Sequence, residues 1–178
     1  MNIIPHTAGK TRHATCRGFT IVETLVAVAI LMISIAGPLV IASKGLRAAL
    51  YSRDQMIASL LAQESMEIVK NIRSNNITSG SNWVQSLDTC LLNSPCDANA
   101  VSSTPIWIGC STTGCPLYFS AGYTPEFVGE ETLFRRMFFL TPMPGQPNEY
   151  TVNVVVSWTE GTVPNELHVT SQLTNSTR

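Results

Sequence analysis

Glu23 is the residue of this sequence whose surroundings are least suited to its charge. It is the single charged residue in the stretch Phe19 to Ala42, FTIVETLVAVAILMISIAGPLVIA, and no charge occurs from Thr24 to Ser43. An ionised carboxylate inside hydrocarbon costs several kcal/mol, so an acid in such a segment is a candidate functional group. The chemistry that it offers is charge pairing in a place where water is excluded.

Residues that could carry out catalysis are sparse. His6 and His13 lie near the amino terminus, and we expect the remaining histidine, His168, on the surface of a strand. The pairs Glu130-Glu131 and Arg135-Arg136 indicate solvated side chains at the start of a strand. The sequence contains no Ser/His/Asp set, histidine metal cluster or glycine-rich phosphate loop. It therefore predicts a protein that is not an enzyme and that needs no metal or cofactor.

Four of the five cysteines lie in one polar segment, residues 74–125: Cys90, Cys96, Cys110 and Cys115. An even number of cysteines favours disulfides where the segment lies outside the cytoplasm. Three pairings are open, and we favour Cys90–Cys96 with Cys110–Cys115 because short separations meet readily; crossed pairings are the alternative. A zinc site is the rival use, but these spacings differ from those of common zinc knuckles.

The charge balance argues against a nucleic-acid partner. The chain carries 11 Lys and Arg against 12 Asp and Glu, and residues 74–178 carry three arginines against eight acids. A nucleic-acid binder needs a basic excess to neutralise phosphates. A local patch at Arg135-Arg136 is the alternative that this count leaves open.

The apolar stretch around Glu23 predicts a membrane-spanning helix. Residues 19–42 would form about 36 Å of helix, enough to cross a hydrocarbon layer of about 30 Å. Residues 1–18 form a basic leader with Lys10, Arg12 and Arg17 and no acid, which favours an amino terminus in the cytoplasm. We expect a single-pass protein of the cytoplasmic membrane with its head outside.

The helix is expected to continue into water over residues 43–75. Apolar residues recur there at steps of four and seven, which predicts one stripe: Leu46, Leu50, Ile57, Leu61, Ile68 and Ile72. A basic residue and a polar cluster, Arg73 to Asn76, indicate the end of the helix. Within the apolar half, Gly37 and Pro38 predict a kink or a locally melted turn, because proline removes an intrahelical hydrogen bond.

Residues 76–178 predict a head with an antiparallel sheet. Residues 74–125 have the composition of loops, whereas β-branched and aromatic runs predict strands at 133–140, 150–158 and 166–173, a sheet over about 132–174. The segments between these strands, 141–148 and 159–165, indicate turns and therefore a meander. The fold class is α+β, in which the helix stripe from Ile57 to Ile72 packs on the apolar face of the sheet.

The residues around Glu23 resemble the processing and assembly motif of type IV pilins and pseudopilins. The resemblance lies in Arg17-Gly18-Phe19-Thr20-Ile21-Val22-Glu23 and the following Thr24-Leu25-Val26-Ala27, and it is close over residues 10–75. It implies that a prepilin peptidase cuts after Gly18 and methylates Phe19. It also implies that Glu23 of an incoming subunit pairs with a Phe19 amine, which removes two desolvation costs in one contact.

The same resemblance implies the partners. They are prepilin peptidase, other pilin or pseudopilin subunits, the inner-membrane assembly machinery and, before assembly, membrane lipid. Ser59 to Glu67, SLLAQESME, looks like the group of minor pilins and type II secretion pseudopilins that share an Ala-Gln-Glu stretch. We therefore predict a minor subunit of a type IV pilus or a secretion pseudopilus. The alternative is a signal-anchored extracytoplasmic binding module that keeps its leader and does not assemble.

Overall fold

The structure, a computed structural model, describes residues 18–99, 106–120, 122–125 and 129–175. The predicted leader, apart from Gly18, lies outside these residues. The chain divides into two units, Met1–Arg47 and Ala48–Arg178. The elements in chain order are α1 (Ile21–Thr78), β1 (Cys96–Ala98), β2 (Ile106–Ile108), β3 (Cys115–Phe119), β4 (Tyr123–Thr124), β5 (Glu130–Met143), β6 (Gln146–Glu160) and β7 (Val163–Thr174).

Helix α1 ends later than its composition predicted. The polar residues after Arg73 remain helical, and backbone N–H groups just after the helix donate to the carbonyl groups of its last turn. The backbone N–H of Gly80 donates to the Ile77 carbonyl (3.1 Å), and that of Ser81 donates to the Asn76 carbonyl (2.9 Å). Gly80 has a φ of 69°, the left-handed conformation that this type of helix end requires. The helix therefore ends at Thr78, where a glycine closes its last turn.

The antiparallel meander is confirmed, and its strands are longer than predicted. β5 pairs with β6, and β6 pairs with β7. On its other side β5 pairs with both β1 and β3, and β1 also pairs with β2 while β3 also pairs with β4. The two hairpins turn at Pro144-Gly145 and at Gly161-Thr162, so most of the two segments predicted as turns extends the strands. Four short strands also form within the region predicted as loops.

The core lies between the sheet and the second half of α1, as predicted. Alternate residues of β6, Val152, Val154, Val156 and Trp158, are buried, and Tyr150 is half-buried on the same face. The buried face of the helix is displaced from the predicted stripe, because its centre is formed by Ala58, Leu61, Ala62, Met66 and Val69. Ile57, Ile68 and Ile72 pack at the margin, whereas Leu46 and Leu50 are exposed. The centre of the buried face therefore combines small residues with large ones.

Candidate functional site

The predicted processing site lies immediately before the first turn of α1. Gly18 and Phe19 are outside the helix, and Phe19 is 77% exposed. Thr20 caps the helix, since its Oγ1 accepts a hydrogen bond from the backbone N–H of Glu23 (3.2 Å). The residues on both sides of the predicted cut are therefore exposed, and they lie immediately before the capping residue Thr20.

Glu23 lies in the first turn of α1, where the partial positive charge of the helix end favours a carboxylate. Its side chain is exposed, and within the part of the chain that the structure describes no cation forms an ion pair with it. The helix end supplies about 0.3–1 kcal/mol at an exposed site, less than the cost of a carboxylate in hydrocarbon. A counter-charge for Glu23 is thus needed wherever this turn lies away from water.

The segment that follows Glu23 is apolar on all sides. α1 contains a stretch long and apolar enough to cross a membrane, and none of that stretch is buried against other residues of the chain. The helix is unbroken through Gly37 and Pro38, so it contains no melted turn there; a bend stays a prediction. Apolar side chains exposed around the whole circumference require a partner other than water.

The cysteines form two disulfides with the sequential pairing, Cys90–Cys96 and Cys110–Cys115. The first is fully buried in the core, and the backbone N–H of Leu140 donates to the Cys90 carbonyl (2.7 Å). Cys96 opens β1 and pairs with Phe138 of β5. The first disulfide thus ties the segment after α1 to the central strand, and its sulfurs are not available to zinc.

Arg136 contradicts the prediction that the two arginines of β5 are solvated. The strand alternates, so Phe134, Arg136 and Phe138 all point into the core, and Arg136 is 0% exposed. Arg135 points outward and donates to the carbonyl groups of Thr113 and Gly114. The two arginines therefore do not form the basic patch that the sequence left open.

Arg136 is neutralised by two acids from other elements. Its Nε donates to Asp97 Oδ1 (2.6 Å), and its Nη1 donates to Glu64 Oε2 (2.9 Å) and to the Leu61 carbonyl (3.2 Å). Its Nη2 donates to Asp97 Oδ2 (3.3 Å) and to the Ala98 carbonyl. All five N–H groups of the guanidinium therefore have acceptors. We call Glu64, Asp97 and Arg136 the Arg136 cluster.

The charges of the cluster depend on one another. Burial raises the pKa of Asp97, and the guanidinium of Arg136 and the N–H of Ala98 offset part of that effect. Burial opposes the charge of Arg136, but the carboxylates of Asp97 and Glu64 outweigh it and raise the pKa of Arg136. Sequence reasoning missed this cluster, although the period-two alternation of β5 places position 136 on the core face.

The described residues do not assemble a catalytic set. His168 is exposed on β7, as expected, and its Nε2 lies 3.2 Å from Glu166 Oε2. Glu130 and Glu131 are exposed at the start of β5. A groove on the outer face of the sheet is lined by residues that include Leu133, Arg135 and Met137 of β5 and Val155 and Ser157 of β6. Within the part of the chain described, no group of three or more His, Cys, Asp or Glu is placed to hold a metal ion.

Comparison with known proteins gives one match. A family model described as the prokaryotic N-terminal methylation motif matches residues 14–37. No curated protein and no solved structure matches the chain. The matched residues include Gly18, Phe19 and Glu23 and extend through Gly37. The chain thus carries the N-terminal methylation signature of type IV pilins and pseudopilins at the start of a long apolar helix, and the antiparallel sheet packed on the second half of that helix gives it a pilin-like α+β layout.

Proposed function

We propose that the protein is a structural filament subunit, a minor pilin or pseudopilin of a type IV pilus or a type II secretion pseudopilus. The observation that carries the proposal is the register of the motif: the cut after Gly18 falls at the exposed residues before the Thr20 cap, and Glu23 follows in the first turn. Residues 1–18 are the leader, 19–42 the membrane or filament-core helix, 43–75 its amphipathic continuation and 76–178 the head. Ser59 to Glu67 supports a minor subunit.

Processing by prepilin peptidase creates a second charge at the membrane surface. Gly18 has no Cβ, so its backbone can approach the protease closely, and among the described residues beyond its chain neighbours no atom lies within 4 Å of where a Cβ would be. After the cut, Phe19 carries the free amine that is methylated. The cut leaves the whole of α1 attached to the head, so the processed chain retains its anchor.

Assembly pairs the two charges. A Phe19 amine and the Glu23 carboxylate of an incoming subunit each lose water in the packed filament, and one ion pair satisfies both. The exposed apolar side chains of residues 21–42 first contact lipid and then the helices of other subunits. The inner-membrane assembly machinery drives this transfer. The protein acts by packing and has no catalytic step of its own.

The head lies outside the cytoplasm. The basic leader favours a cytoplasmic amino terminus, which puts everything after the membrane helix on the other side. Two disulfides support this location, because disulfides form and persist in oxidising compartments. In the assembled state the head forms the outer surface of the filament.

The test is the mass of the mature amino terminus in the protein purified from its own host. We expect residues 1–18 to be absent and Phe19 to carry one methyl group. Gly18→Val should leave the leader attached because a branched side chain obstructs the cut, whereas Gly9→Val, farther from the cut, should be processed normally. An intact leader on the wild-type chain would support the signal-anchored binding module and refute the pilin assignment.

A further inference from the structure

The Ala62-Gln63-Glu64 stretch is turned toward the sheet at both of its ends. Ala62 is 0% exposed in the core, and the side chain of Glu64 is one-third exposed where it pairs with Arg136. We propose that the Arg136 cluster is a register lock, which selects the turn of α1 on which the sheet docks. Glu64, Asp97 and Arg136 are then positioning residues, and the Ala-Gln-Glu stretch is the helix side of the docking site.

The apolar contacts of α1 discriminate poorly between neighbouring turns. Small side chains recur along its buried face at Ala58, Ala62 and Ser65, so a shift of four residues brings Ala58 to the place of Ala62. Burial of apolar surface is non-directional and depends mainly on the area removed from water. Packing against Ala58 and Ala62 therefore specifies the face of the helix better than it specifies the height along it.

The Arg136 cluster, by contrast, distinguishes one docking position along α1 from the next. One helical turn is about 5.4 Å, so a shift of that size would remove Arg136 from both Glu64 and the Leu61 carbonyl. The guanidinium would then lie in the core without the Glu64 carboxylate. A buried charge that loses a partner strongly destabilises a protein. The native register is the one that satisfies Arg136 from α1 and from β1 at the same time.

The sheet side of the lock is held rigidly. Asp97 follows Cys96 of the buried Cys90–Cys96 disulfide and accepts a hydrogen bond from the backbone N–H of Ala98 (2.8 Å). Its carboxylate is 0% exposed and binds Arg136 through both oxygens. Asp97 thus presents a fixed partner on β1, while Glu64 supplies the contact that depends on the position of the helix.

The consequence for assembly rests on the proposed function. If subunits pack through α1, the turn on which the head docks determines which head surfaces reach the neighbouring heads. A subunit whose head is one turn out of place would bring the wrong residues together although its helix remained competent to pack. The lock would therefore convert an approximate docking surface into a single defined one.

The lock is tested on the full chain in detergent micelles by the distance between two spin labels. One label is placed at Gln63 on the exposed side of α1 and one at His168 on β7, in a background with Cys16→Ser. The wild type should give one narrow distance distribution. Glu64→Lys, which puts a like charge against Arg136, should add a second population displaced by about 5 Å, the length of one turn. The matched control Glu67→Lys removes an exposed ion pair with Lys70 and should leave the distribution narrow.

A second variant separates register from stability. Arg136→Met with Asp97→Asn replaces the buried charges by neutral groups of similar size, a change that is often tolerated. We expect this variant to fold, with native tryptophan fluorescence, but to give a broadened distribution. If both Glu64→Lys and the double variant gave a distance distribution as narrow as that of the wild type, the proposal would be overturned. Unfolding of the double variant would also contradict it, because the charges would then contribute stability instead of selecting a register. Neither readout needs a filament, so failure here is distinct from failure of the proposed function.

Discussion

The two disulfides close loops of nearly equal length but lie in different surroundings, so their removal should have unequal effects. The sequence separations are six residues for Cys90–Cys96 and five for Cys110–Cys115. In the chain-entropy treatment, closing either loop stabilises the fold by about 2 kcal/mol, through constraint of the unfolded chain. Loop length alone therefore predicts the same loss for both pairs.

Burial adds a second term for Cys90–Cys96. Both of its residues are 0% exposed and belong to the core, whereas Cys110 is only half-buried. Truncation of each buried sulfur to a methyl group leaves a void that costs about 1 kcal/mol. Removal of Cys90–Cys96 by paired Cys→Ala changes should therefore cost about 4 kcal/mol, and more if Asp97 is displaced from Arg136. The same change at Cys110–Cys115 should cost about 2–3 kcal/mol.

The assay is urea unfolding of the full chain in detergent, followed by tryptophan fluorescence. Trp83 and Trp158 are buried in the core of the head, so their emission reports the unfolding of the head and not of the membrane helix. The Cys110→Ala/Cys115→Ala variant is the matched control because it removes a disulfide of similar loop length. Equal losses for the two pairs, or a greater loss at Cys110–Cys115, would refute the reasoning from burial.

Three further predictions follow from single residues. Glu23→Ala should leave cleavage and methylation intact, but the variant should be absent from the sheared filament fraction. Normal incorporation of the variant would refute the charge-pairing mechanism. Phe134→Ala should cost about 3–4 kcal/mol in urea unfolding because the ring is 2% exposed between Tyr123 and Trp158, whereas Phe119→Ala, at a half-exposed ring, should cost about 1 kcal/mol or less. Gly129→Ala should cost about 1–3 kcal/mol, since Gly129 has a φ of 104° and a Cβ there would collide with the Phe119 carbonyl; an unchanged midpoint would contradict this.

The sheet was predictable because its signal is local. Alternation along β6 gave the core face, and the three long strands and their order follow from the runs of β-branched and aromatic residues. The lengths of the hairpins were not predictable from composition. Pro142 and Pro164 suggested turns, yet both residues pair within the ladders, Pro142 with Tyr150 and Pro164 with Thr159. Both prolines lie close to strand ends, where a missing N–H is tolerated most easily.

The buried face of α1 shows how hydrophobicity can mislead by one position. The periodicity selects the largest apolar side chains, such as Ile57 and Ile68, whereas the completely buried residues include the small Ala58 and Ala62. The direction of the helix face was therefore right to within one residue, and its centre required the structure.

The Arg136 cluster could be found only in part. The alternation of β5 assigns position 136 to the core, a signal that the charge of the residue obscured. Its partners could not be predicted, because Asp97 and Glu64 are 39 and 72 residues away along the chain. No local pattern joins positions so far apart. The processing motif, by contrast, lies within a few consecutive residues, which is why the sequence was sufficient to identify it.

Arg136 and Glu23 are two costly charges that the chain treats in opposite ways. Arg136 is fully buried, and two carboxylates and two carbonyl groups of the same chain satisfy all of its donors. Glu23 lies at the start of an equally unsuitable apolar segment, yet none of the described residues offers it a cation. Under the proposed function the counter-charge of Glu23 comes from the Phe19 amine of another subunit, and the cost of leaving Glu23 unpaired would favour assembly over the isolated membrane form.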